Sequence, residues 1–193
     1  MSNNELVISQ LDRRGFVGAA GTLVLSATTI ALMSGINAAR AQSGAGSADI
    51  EQDVRILNTA IAAEHEAVAA YQVGAESGLL SAGVLKVAVK FQGHHKEHIE
   101  LLSSTVKTLG GTAASAKSSY QFPLEKLKQE SDVLTFAASL ERGAVSAYAG
   151  AIPLFDNGDL AKAAASILAD EAMHWAVLLQ ALGLDPVPGA FFL

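Results

Sequence analysis

Six carboxylate and imidazole side chains lie at positions where a helical segment otherwise carries apolar residues. Each interrupts a stripe of apolar residues spaced three and four apart, the spacing that puts side chains on one face of a helix. A buried carboxylate without a partner is costly, so such groups must be paired, hydrogen-bonded or bound to a metal ion. We predict that six such residues converge on one point, as a metal site or, alternatively, as a buried network of carboxylates and histidines without metal. They are Glu64, His95, His98, Glu141, Glu171 and His174.

One of these positions has an alternative. His94, His95 and His98 lie within five residues of one another. On a helix, His94 and His95 lie on either side of His98, at about the same distance from the centre of the apolar stripe. Helix geometry alone therefore leaves both as candidate ligands.

The elements that must position these groups are helices. The chain is rich in Ala and only 6% aromatic, a composition that favours packed helices over a β-sandwich. Glycine or proline lies near each break in the apolar spacing, as is common at helix ends. We predict four helices, at about 49–76, 79–109, 131–154 and 159–182.

The first and third predicted helices repeat each other. The repeat predicts two helical hairpins packed as a four-helix bundle. The connection between them is about 20 residues, long enough to span a bundle of roughly 30 Å. We interpret the two repeated tyrosines as core aromatics rather than ligands. The matched pairs are Glu64 and Glu141, Tyr71 and Tyr148 at an offset of 77 residues, and His98 and His174 at 76.

The pattern resembles the ferritin-like superfamily, which includes bacterioferritins and rubrerythrins. Its signature is a glutamate from the first and third helices and Glu-x-x-His from the second and fourth. Glu64 and Glu141 match the single glutamates, and Glu171 and His174 match the motif. The resemblance implies an all-α, ferritin-like four-helix bundle of two antiparallel hairpins joined by a long crossover. It also implies one or two transition-metal ions, iron or manganese, and it favours His95 over His94.

The second helix departs from the superfamily. His95 stands three residues before His98, where the superfamily has a glutamate that bridges two ions. Three carboxylates and three imidazoles remain. A mononuclear site, a mixed site or a different metal are therefore alternatives to a di-iron centre, since imidazole suits several transition metals.

Three functions remain open. The resemblance implies a metal-dependent oxidoreductase that acts on Fe(II), O₂ or peroxide. A non-catalytic protein that stores or buffers metal is the second alternative, and a metal-free structural or stress-protective bundle is the third. The sequence has no Cys, which excludes disulfides, thiolate metal sites and cysteine nucleophiles.

The N-terminus predicts export. Arg13, Arg14 and Phe16 resemble the twin-arginine motif, and an apolar stretch ends at the small-x-small cleavage pattern Ala39-Arg40-Ala41. We predict a signal peptide at 1–41, a flexible linker at 42–48, the bundle at 49–193 and a periplasmic location. An uncleaved membrane anchor is the alternative.

Charge narrows the class of partners. The formal net charge is −6 and no run of basic residues occurs. Nucleic acid is therefore not expected as a partner, nor is a membrane surface once the signal is cleaved. We expect metal ions, with O₂ or peroxide if the site is redox-active, and homo-oligomers are compatible with the sequence.

Overall fold

A computed structural model describes residues 46–191, and these form an all-α bundle. The predicted signal peptide and most of the predicted linker lie outside the described residues. Two single-turn 3₁₀ helices, Leu124–Lys126 and Ile152–Leu154, lie in the connections. The four long helices are α1 (Ser47–Glu76), α2 (Ala82–Thr108), α3 (Glu130–Ala151) and α4 (Gly158–Ala181). The predicted fold class is thus confirmed.

The start of α1 lies inside the predicted linker. The helix begins at Ser47 rather than near residue 49. The Gly46 backbone N–H donates to Asp49 Oδ2 at 2.9 Å. An N–H in this position has no partner within the helix, so the carboxylate of the first turn stabilises the earlier start.

Helix α2 begins three residues later than predicted. Leu79 and Leu80 extend the apolar stripe, but Gly78 has a φ of 70°. Ser81 is extended at φ −61° and ψ 156° and precedes the first helical residue, Ala82. The local backbone therefore keeps these two leucines out of the helix.

The crossover between the hairpins is fixed against α1. The Asn58 side chain donates to the Thr112 carbonyl at 3.0 Å and accepts from the Ala114 N–H at 2.7 Å. A Cβ at Gly111 would lie 2.8 Å from Val54 Cγ1. Polar contacts and close packing thus hold the first part of the crossover.

Two apolar clusters fill the bundle on either side of a polar layer. One contains Tyr148 and packs toward the C-terminal end of α2, whereas the other contains Tyr71 and packs toward its N-terminal end. The first comprises Leu57, Ile61, Leu102, Val106, Tyr148, Leu160, Ala164 and Ile167. The second comprises Tyr71, Phe91, Leu134, Ala138 and Leu178.

Within residues 46–191, none of the helices is both long and apolar enough to cross a bilayer.

Candidate metal centre

All six predicted ligands meet in the polar layer at the middle of the bundle. Each helix contributes at least one of them. The His98 side chain is 12% exposed and the others are essentially inaccessible to solvent. The residues are Glu64 of α1, His95 and His98 of α2, Glu141 of α3, and Glu171 and His174 of α4.

Four of these residues form a first group that could hold an ion, here called pocket A: Glu64, His95, His98 and Glu171. Glu64 Oε2 lies 2.8 Å from His95 Nδ1 and 3.5 Å from His98 Nδ1. His98 Nδ1 lies 3.2 Å from Glu171 Oε1. Ligands about 2.1 Å from one ion are separated by about 3 to 3.5 Å, so these spacings suit a shared metal.

A second group, here called pocket B, comprises His95, Glu141, Glu171 and His174. Glu141 Oε1 lies 3.4 Å from His95 Nε2 and 3.6 Å from His174 Nδ1. His174 Nδ1 lies 3.5 Å from Glu171 Oε2. Pocket B therefore matches pocket A in its ligand types, two imidazole nitrogens and two carboxylate oxygens.

Several inward-facing atoms have no hydrogen-bond partner. Among the described residues, the buried atoms in this condition are His98 Nδ1, His174 Nδ1 and both carboxylate oxygens of Glu171. Buried polar atoms are rarely left without a partner, because that costs about 1–3 kcal/mol each. All four belong to the two pockets and suit a cation as their common partner.

The two repeated tyrosines contact the site directly. The Tyr148 hydroxyl donates to Glu64 Oε1 at 2.6 Å, and the Tyr71 hydroxyl donates to Glu141 Oε1. Each tyrosine thus reaches a carboxylate of the opposite hairpin. They are core aromatics as predicted, but sequence analysis missed these hydrogen bonds, for which the matched Glu and Tyr spacing was the available signal.

Asp170 was also missed as part of the site. Its Oδ2 lies 3.4 Å from His98 Nε2 and 3.2 Å from His174 Nε2. The carboxylate therefore faces the outer nitrogen of both histidines while their Nδ1 atoms face inward. Its position four residues before His174, on the same face of α4, was the sequence signal.

The geometry distinguishes the two alternative histidines. His95 lies among the three buried carboxylates, whereas His94 lies at the partly exposed rim with its side chain 29% accessible. His94 Nδ1 is 2.9 Å from both Asp170 Oδ2 and His174 Nε2. His94 therefore contacts the outer side of the site.

The pKa values of two carboxylates in the polar layer, Glu64 and Glu141, are lowered, which favours their charged form. Burial raises the pKa of Glu64, but His95 and His98 outweigh it and lower the value to about 2. Burial also raises the pKa of Glu141, but His174 and His95 outweigh it, and the net effect is a lowered pKa. Glu171 differs, because burial and Glu141 together raise its pKa.

The pKa values of the three imidazoles are raised, which favours their positively charged form. Burial lowers the pKa of His95, but Glu141 and Glu64 outweigh it and raise the value to about 9. Asp170 is the main group that raises the pKa values of His98 and His174 to about 11, against the effect of burial. Without metal, positive imidazoles balance the buried carboxylates.

Solved structures share this fold. A conserved hypothetical protein from Mycobacterium tuberculosis superposes with a TM-score of 0.64 at 22% identity, over 74% of this chain and 99% of that chain. A ferritin-like, diiron-carboxylate protein from Bacillus anthracis gives a TM-score of 0.60 at 20% identity, over 69% of this chain and 97% of that chain. A dodecameric thioferritin, the bacterioferritin-related protein of Bacteroides fragilis, gives a TM-score of 0.60 at 23% identity, over 69% and 86% respectively.

Sequence comparison gives the family. No curated protein sequence matches significantly. The profile of the ferritin-like domain matches residues 52–184, which include α2, α3 and α4 completely and all of α1 except its first five residues. With the predicted residues gathered in one polar layer, this match means that the chain belongs to the ferritin-like domain family.

Proposed function

We propose that the protein is an exported metal-binding protein that holds transition-metal ions in the polar layer. The observation that carries the proposal is the set of four buried atoms on His98, Glu171 and His174 that have no hydrogen bond and that lie in pairs 3.2 and 3.5 Å apart within the two pockets. Imidazole nitrogens and carboxylate oxygens in equal number suit iron or manganese, and also zinc. The similar Bacillus anthracis fold, which is described as a diiron-carboxylate protein, supports iron as the first choice.

Bound iron or manganese would supply redox chemistry with Fe(II), O₂ or peroxide. The chain's own contribution is to orient the ligands. Asp170 faces the outer nitrogens of His98 and His174, which leaves each Nδ1 available to a metal. Tyr148 and Tyr71 donate to Glu64 and Glu141, respectively, and fix their carboxylates. Such outer partners set ligand orientation and basicity.

Metal content tests the proposal. Protein purified without chelators should contain metal by elemental analysis, and Glu171→Gln should lose it, since Glu171 contributes to both pockets. Glu97→Gln is the matched control because Glu97 is exposed on α2. Loss of a direct ligand should weaken binding at least ~10-fold. Absence of metal from the wild-type protein, also after incubation with Fe(II), would leave the metal-free scaffold as the function.

The number of reaction cycles per site distinguishes a catalytic function from a storage function. A redox enzyme loaded with iron should oxidise added Fe(II), or consume peroxide, through many cycles per site. A storage or buffering protein should react once per bound ion and then stop. The enclosed position of the site, with solvent contact near His94 and Asp170, favours a small substrate over a large one.

Export is the remaining part of the proposal, and Arg13 and Arg14 support it. Replacing both with lysine should keep the protein in the cytoplasm with its leader attached. Lys86→Arg is a control for a conservative change elsewhere. Equal periplasmic amounts of the double variant and the wild type would rule out twin-arginine export.

A further inference from the structure

His95 occupies a position shared by both pockets. Only His95 and Glu171 belong to both of the groups described as pockets A and B. The side chain is 1% exposed. Its ring lies 5.3 Å from the Tyr71 ring and 5.4 Å from the His174 ring, measured between centroids. Close packing therefore restricts the orientation of the imidazole.

The two ring nitrogens face different pockets. Nδ1 lies 2.8 Å from Glu64 Oε2 and 3.5 Å from Glu171 Oε1, both in pocket A. Nε2 lies 3.4 Å from Glu141 Oε1 in pocket B. Glu171 is divided in the same way, because its Oε1 faces His98 and its Oε2 faces His174.

The internal repeat relates His95 of the first hairpin to Glu171 of the second. His95 and Glu171 are separated by 76 residues, the same offset as His98 and His174. They are thus equivalent positions of the two hairpins. At the centre of the site an imidazole faces a carboxylate, and each presents one atom to each pocket.

We propose that His95 bridges two metal ions through its ring, with Nδ1 bound in pocket A and Nε2 bound in pocket B. This inference rests on the proposed metal binding. Both ring N–H protons of the charged His95 imidazole pass to water, one as each ion binds, so that each nitrogen offers a lone pair. Glu171 completes the bridge from the opposite hairpin.

The bridge has a measurable consequence for the distance between the ions. Pairs held by bridging carboxylates on both sides are about 3.5–4 Å apart. The nitrogens of an imidazole ring point away from each other, so two ions bound at about 2.0 Å would be separated by about 6 Å. A histidine in place of the superfamily's glutamate therefore moves the ions apart.

The test is anomalous diffraction from crystals of the whole protein grown with Co(II). Two cobalt peaks about 6 Å apart, with the His95 ring between them, are expected in the wild type. In His95→Glu the separation should shorten to about 3.5–4 Å. His65→Glu makes the same change outside the pockets and should leave the long separation unchanged.

Each other outcome decides between the two proposals. Two wild-type peaks about 4 Å apart or closer, or a single peak, would overturn the bridge and leave metal binding intact. No cobalt at the polar layer would overturn both. If His95→Glu fails to give the cooperative thermal unfolding of the wild type, the wild-type separation still decides by itself.

Discussion

Tyr148 and Tyr71 each form one hydrogen bond between the two hairpins. Tyr148 of α3 donates to Glu64 of α1, and Tyr71 of α1 donates to Glu141 of α3. Both acceptors are buried carboxylates. Hydrogen bonds to charged groups contribute more to stability than neutral ones. The tyrosines therefore hold the ligands and the halves of the bundle together.

Tyr148→Phe removes one of these bonds without removing the ring. We expect the free energy of unfolding to fall by about 1.5–3 kcal/mol in denaturant titrations, because Glu64 loses a donor at a buried site. Metal affinity should fall about 10-fold or more. Tyr120→Phe, at a tyrosine of the crossover, is the control. An unchanged stability in Tyr148→Phe would mean that water or another donor satisfies Glu64.

Asp170 offers a second change at the residue scale. Asp170→Ala should weaken metal binding about 10- to 100-fold, measured by titration with Co(II), because His98 and His174 lose the carboxylate that orients them. His94→Ala is the matched comparison at the same rim. A small effect is expected there, and an equal loss in both variants would instead make His94 a ligand.

The sequence predicts which face of a helix these residues occupy, but not which residues they contact on another helix. The position of Glu64 on the core face follows from its spacing within α1, a local property. The partner of Tyr148 lies 84 residues away, and spacing within one helix does not define which residues meet across the bundle. For the same reason, helix geometry alone does not choose between His94 and His95, whereas the packing of the helices does.

At the scale of elements, the start of the crossover between the hairpins packs closely against α1. Gly111 follows α2 and lies against Val54 of α1, and Gly110 has a φ of 82°. The four helices and the crossover follow from the sequence, since periodicity and breaks are strong signals. The start of α2 does not, because apolar Leu79 and Leu80 continue the helical pattern past the backbone turn at Gly78.

Gly111→Ala tests this packing. The added Cβ would lie 2.8 Å from Val54 Cγ1 and 3.0 Å from Val106 Cγ1. We expect destabilisation by about 1–3 kcal/mol, from overpacking, in chemical denaturation. Gly143→Ala is the control. It lies in α3 with open space around it, and alanine should stabilise that helix by up to about 1 kcal/mol. Equal effects would contradict the close approach.

For the whole molecule, the balance of charge in the polar layer predicts a pH dependence. The pKa values of His95, His98 and His174 are raised from 6.5 to about 9–11. Their contribution to stability is therefore full below pH 6.5 and is lost as the pH rises through those values. The Glu64 pKa is lowered from 4.5 to about 2, so its contribution is lost as the pH falls through that window.

The metal-free protein should thus have its highest melting temperature at about pH 5–6, and this temperature should fall as the pH is raised to 10. Thermal unfolding followed by circular dichroism would measure it. His174→Gln should flatten the alkaline slope. Metal binding needs neutral imidazole, so the stabilisation by added Co(II) should grow with pH. A melting temperature that rises from pH 6.5 to 9 without metal would contradict the charge balance.

The two hairpins differ at their central position, which is His95 in the first hairpin and Glu171 in the second. This difference limits how such a chain can arise. Two copies of the second hairpin would bring together Glu141, Glu171 and His174 twice, which is the superfamily's full set of four carboxylates and two imidazoles. Two copies of the first would supply two carboxylates and four imidazoles. Joining both hairpins in one chain lets one central residue become His95 while the other remains a glutamate. A homodimer of identical hairpins must change both together, so this mixed centre requires two hairpins of different sequence, which a single chain provides.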